Sequence, residues 1–151
     1  MDLNTKVKEG LIAGLIAGIA MDSLEYVSYR IFRQPKVSSR DWLWIITTGH
    51  TPSPSRQDFL GYAGHILFTA ALGGVFTLLL PEGMEEKPVP RGLFWSVSLW
   101  AVSQVLAIVS RLPLLSKLPL VVRAQHLILA SVYGIAWGAS LRCMEKHGIR
   151  W

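Results

Sequence analysis

Three long stretches of this chain carry no formal charge: Phe59 to Leu80, Gly92 to Ser110 and Ala124 to Leu141, the second and fourth spans with a histidine inside. About 20 apolar residues in a helix cross roughly 30 Å of hydrocarbon, so runs of 18 or more read as transmembrane helices. A fourth apolar stretch runs from Gly10 to about Phe32, interrupted by Asp22, Glu25 and Arg30. Of the 151 residues 51% are apolar and 17% charged, against about 25% charged in a soluble domain. Four spans are therefore expected, at about 10–32, 59–81, 91–112 and 119–142. The fold class is all-α: a four-span transmembrane helix bundle in one integral membrane domain, residues 1–151. A buried soluble bundle is the alternative, and hydropathy windows of this length argue against it. A cleaved signal peptide over residues 1–20 is a second alternative. Leu24, Val27, Ile31 and Phe32 continue the apolar run past its small-residue site, which favours an uncleaved first span.

The first span carries glycine at every fourth position: Gly10, Gly14 and Gly18. The same register continues through Asp22, Tyr26 and Arg30. Residues four apart share one helix face. Small residues repeated in this way let helices approach closely in lipid. Comparable stripes follow on the second span (Gly61, His65, Thr69, Gly73, Thr77) and the fourth (His126, Ala130, Gly134, Gly138, Arg142). Gly10, Gly14, Gly18, Gly73, Gly134 and Gly138 are the expected packing positions.

An ungapped match links His65–Gly73 to His126–Gly134, and Gly10 to Asp22 has the spacing of Gly92 to Gln104. Two repeated helical hairpins, with a pseudo-two-fold axis along the membrane normal, are the expectation. Between the first and second spans, Asp41 to about Thr48 holds Trp42 and Trp44 in a segment too short to cross. It reads as interfacial, with the Trp rings as anchors at headgroup depth.

Ionisable groups inside a bilayer are costly and mark functional sites by default. Asp22, Glu25, Gln104, His65 and His126 come from one half of the membrane and form a possible polar cluster. His65 and His126 are the candidate cofactor ligands: two imidazoles suit axial haem ligation, and His with carboxylate suits a metal, whose identity is open. The same groups suit proton relay or a translocation path. The structural reading has each His bonded across a helix seam and Asp22 paired with Arg30. Nucleophile elbows, phosphate-binding glycine loops and paired-Cys metal motifs are absent, so no catalytic residue is assigned and the chain reads as non-enzymatic. Lone Cys143 excludes an internal disulfide and reads as inert, with palmitoylation the alternative. The net charge of +5 suits anionic headgroups, and nothing points to nucleic acid. Lys and Arg divide almost evenly between the two sides, so orientation is undetermined.

The run Gly10-Leu-Ile-Ala-Gly-Leu-Ile-Ala-Gly-Ile-Ala-Met21, then Asp41-Trp42 with Gly49-His50-Thr51-Pro52, then Ser131-Val132-Tyr133-Gly134, resembles a group of small bacterial four-helix membrane proteins with no assigned activity. The resemblance implies a fold and a multi-pass place in the cell membrane, and no mechanism. The leading functional expectation is a non-enzymatic membrane protein acting through helix–helix association, as a homo-oligomer or an accessory subunit of another membrane protein. A small transporter or channel with a polar path near Asp22, His65 and His126 is the alternative, and a haem- or metal-binding redox protein the third.

Overall fold

Bare backbone meets bare backbone where the first two helices touch. In the computed structural model a methyl group on Gly14 would lie 2.5 Å from the Thr69 carbonyl oxygen and 2.9 Å from the Gly73 Cα. The model describes residues 3–32, 38, 41, 45, 59–79, 87–112 and 115–147. These form four helices, α1 (Leu3–Phe32), α2 (Phe59–Leu79), α3 (Pro88–Val109) and α4 (Leu120–Lys146), with no strand among the described residues. All four are long and apolar enough to cross a membrane. The chain is an all-α, four-span membrane protein.

α1 and α4 overrun the expected spans, whereas α2 stops at Leu79 and α3 runs three residues earlier than expected at both ends. α1 begins at Leu3 rather than near residue 10, and α4 ends at Lys146 rather than near 142. Hydropathy marks where lipid begins, whereas backbone hydrogen bonding continues through good helix formers such as Lys6, Lys8 and Glu9. α3 opens at Pro88, whose missing N–H is no loss in a first helical turn. Trp42 and Trp44 lie outside the described residues.

Backbone packing joins α1 to α2, α3 to α4, and α1 to α4. The α3–α4 hairpin has its own small-residue seam. A methyl on Gly134 would lie 2.6 Å from the Gly92 carbonyl carbon, and one on Gly138 2.5 Å from the Val89 Cα. The positions that match in sequence, Gly10/Gly73 and Gly92/Gly134, are thus in close contact within each hairpin.

α3 stops in a left-handed turn. Leu112 N–H donates to Ala107 O and Arg111 N–H to Ile108 O, both at 3.1 Å, with Arg111 at φ 49°. This is the Schellman pattern, whose left-handed position normally holds Gly. Leu112 closes back on Ala107 beside buried Leu115, and Ile45, fully buried, packs into the same cluster. The connection after α1 therefore reaches the α3–α4 turn and ties the two hairpins at that end. Arg123 secures the turn from α4, donating to Leu118 O (3.1 Å) and Ser116 O (2.9 Å).

Two outcomes follow for thermal unfolding in detergent, followed by circular dichroism. Gly14→Ala should cost about 1–3 kcal/mol by overpacking and Gly14→Leu more, whereas Gly64→Ala, with nothing within 4 Å, should be neutral or stabilising. Equal effects at both positions would exclude the seam. Arg111→Gly should stabilise by about 1 kcal/mol through relief of the positive φ, and an unchanged melt would count against that strain.

Candidate functional site

Two turns beyond the glycine contact, α1 and α2 present their polar residues to each other. Asp22 lies eight residues past Gly14, and His65 eight before Gly73. In antiparallel helices those steps run in the same direction, about 12 Å along the axis. Asp22 and His65 therefore meet: Oδ1 and Nδ1 are 2.9 Å apart, with both side chains buried. The pair lies shallow in the membrane. His65 is four residues inside Gly61, the start of its span, and Asp22 six residues inside Ser28, the end of its own. At about 1.5 Å per residue, both stand about 6–9 Å from the end of their span on the side away from the termini.

The rest of the expected cluster gathers at the same depth. His126 and Gln104 are buried. Glu25, also buried, accepts a hydrogen bond from Ser38 Oγ at 3.1 Å. Ser38 N–H donates to Asp41 Oδ2 at 3.2 Å, and Asp41 N–H to Ser38 O at 3.0 Å. Ser38 thus joins Glu25 to a third buried carboxylate, Asp41. Next to His126, Gln125 Nε2 donates to Ser28 Oγ at 3.2 Å, bridging α4 to α1. Arg30 is not the partner expected for Asp22: its guanidinium donates to Tyr26 Oη at 2.7 and 3.0 Å and sits over that ring, on the exposed face of α1.

His65 and His126 line one cavity of about 270 Å³. Its walls come from all four helices and are overwhelmingly apolar, with Phe68, Trp100 and Tyr133 contributing rings. The hydroxyls on the wall are spent on backbone carbonyls. Thr69 donates to Ile66 O (2.9 Å), Ser96 to Leu93 O (3.1 Å), Ser103 to Trp100 O (2.7 Å) and Tyr133 to Thr69 O (2.7 Å). Towards the termini the cavity gives way to an aromatic cluster. Phe76 of α2 stands 5.7 Å from Trp137 and 6.1 Å from Tyr133, both edge-on, and 6.2 Å from Trp95. Trp137 Nε1–H donates to Gly73 O at 3.2 Å, so α4 reaches the carbonyls that the α1–α2 seam leaves bare.

Of the expected residues, Asp22 and His65 are in contact, His126 lines the same cavity as His65, and Glu25 and Gln104 lie buried at the same end. No group of three or more His, Cys, Asp or Glu is placed to hold a metal among the described residues. Sequence reasoning missed Ser28, Ser38, Gln125, Tyr133 and Trp137. The last two had a signal: Val122, His126, Leu129, Tyr133 and Trp137 follow three- and four-residue spacing beside the glycine stripe. No protein-family model, curated protein or solved structure matches the chain.

Removing one member of the Asp22–His65 pair leaves a buried polar group short of a partner, at about 1–3 kcal/mol. Asp22→Leu should therefore unfold at lower denaturant than Asp22→Asn, which keeps a polar group beside the His65 ring. Equal midpoints would mean that the 2.9 Å contact contributes nothing to stability.

Proposed function

We propose that the protein is a small transporter in the cell membrane, non-enzymatic, with a polar path that passes the Asp22–His65 pair and His126. The observation that carries this reading is the 2.9 Å contact between a buried carboxylate and a buried imidazole on the wall of a cavity, within a span. A carboxylate inside a bilayer is costly, and such groups mark proton relays and substrate paths. Carboxylate and imidazole side by side are the pairing that intramembrane proton relays use. Glu25 and Asp41 lie near the same end, and buried carboxylates there favour cations over anions.

The reading through helix association drew on the stripe Gly10, Gly14 and Gly18. That stripe is packed against α2 of the same chain, so it offers no free face to a second copy or another subunit. Association would need a different surface.

Proton movement tests the proposal. Full-length protein in liposomes, with a pH dye inside and an imposed pH gradient, should dissipate the gradient faster than protein-free vesicles. Asp22→Asn should lose most of that flux while keeping a melting temperature within a few degrees of wild type. A variant that conducts like wild type, or a wild type no faster than empty liposomes, would remove Asp22 from any proton path.

A further inference from the structure

The cavity has an entrance as well as walls. Backbone packing joins α1 to α2, α3 to α4 and α1 to α4, whereas α2 and α3 meet mainly through side chains. The cavity takes wall residues from both of those helices. Its wall residues there, Phe68 of α2 and Leu99 of α3, are 47% and 39% exposed, on surfaces that face hydrocarbon in a membrane. A molecule dissolved in the bilayer reaches the cavity sideways, without crossing the polar end.

Size and shape narrow the class of molecule. An apolar cavity of about 150 Å³ takes one benzene. At about 270 Å³ this one has room for a single substituted ring and is too small for a large cofactor. Rings at Phe68, Trp100 and Tyr133 offer faces and edges that suit an aromatic guest.

Polar chemistry narrows it further. The hydroxyl hydrogens of Thr69, Ser96, Ser103 and Tyr133 are already given to backbone carbonyls. Asp22 takes the Nδ1 side of His65. A carboxylate so close to Nδ1 favours the ring proton on that nitrogen by charge attraction, with Nε2 then the acceptor. The wall thus has an imidazole, hydroxyls whose protons are committed, and the Trp100 indole N–H, which is buried with no hydrogen-bond partner among the described residues. A guest whose single polar group both donates and accepts, as a hydroxyl does, suits this set.

We propose that this cavity binds a single-ring lipophilic alcohol of the phenol type, which enters from the bilayer between α2 and α3 and donates its O–H to His65 Nε2. The proposal rests on the transport reading for what happens next and names its substrate class; the binding itself is an equilibrium and needs no flux.

The test uses 4-bromophenol and 4-bromoanisole, which differ in whether the ring oxygen carries a proton, below the pH at which the phenol ionises. Bromine quenches tryptophan emission, and Trp100 lies on the wall. With the full chain in nanodiscs, bromophenol should quench saturably, about tenfold more tightly than bromoanisole. His65→Leu should bring the phenol to the anisole's affinity. Ala130→Phe, which fills the cavity from α4, should abolish saturable quenching by both, and Ser103→Leu should do the same from α3 should the first variant fail to fold. Equal affinities in wild type, or discrimination that survives His65→Leu, would overturn the assignment. Quenching that only rises linearly, as in simple partition, would overturn it too and leave the cavity to a lipid chain, which acyl-brominated lipid would reveal by quenching Trp100. Saturable binding without proton flux would keep the site and discard transport; proton flux without binding would do the reverse.

Discussion

The distance between α1 and α2 at Gly14 and Gly73 sets the geometry of everything nearer the polar end. Neither residue has a Cβ, and the backbones close until carbonyl oxygens and Cα atoms touch. Lipid supplies no hydrophobic force to press helices together, so association depends on close packing of this kind. With the axes held that near, short side chains two turns away span the gap. Asp22 and His65 meet directly, at 2.9 Å. A wider pair of axes would leave the carboxylate and the imidazole each in need of another partner, in a medium where an unpaired polar group is expensive.

The same seam explains the central place of α4. Glycine bares the backbone of α2 as well as approaching that of α1. The carbonyls of Thr69 and Gly73 accept from Tyr133 Oη and Trp137 Nε1. Two large aromatic residues are thereby fixed at both ends, by a hydrogen bond and by edge-to-face contact with Phe76. The aromatic cluster fills the half of the bundle near the termini. In the other half α2 and α3 lack a matching wedge, and the cavity remains. The bundle thus has a tightly packed half and an open half, divided at Tyr133, the open half holding a largely apolar cavity with His65 and His126 on its wall.

The second hairpin resembles the first in plan but not in chemistry. Gly92 against Gly134 matches Gly10 against Gly73; Gln104 stands twelve residues past Gly92, as Asp22 does past Gly10, and His126 eight before Gly134, both buried. An amide stands where the first hairpin has a carboxylate. The two imidazoles line one cavity with different neighbours: the Asp22 carboxylate stands 2.9 Å from His65, and the matching place on α3 holds an amide.

The sequence by itself determined the class of fold. Charge-free runs of about 20 residues leave the backbone no option in lipid except the helix, and the four-residue glycine spacing marks the face that must be close-packed. His65, His126, Asp22, Glu25 and Gln104 were legible for the same reason: a polar residue in an apolar run stands out because of its cost. The pairing was not legible. Arg30 and His65 were both within reach of Asp22 by depth, and only the antiparallel register fixed by Gly14 and Gly73 chose His65, leaving Arg30 to Tyr26 one turn away. The cavity was invisible as well. An empty space belongs to no residue; it exists because Phe76, Tyr133 and Trp137 wedge one end of the bundle while α2 and α3 stay apart at the other. Periodicity records which face of a helix is buried. Which neighbour buries it, and what gap is left, depends on side-chain volumes meeting in three dimensions, and only the tertiary structure decided that.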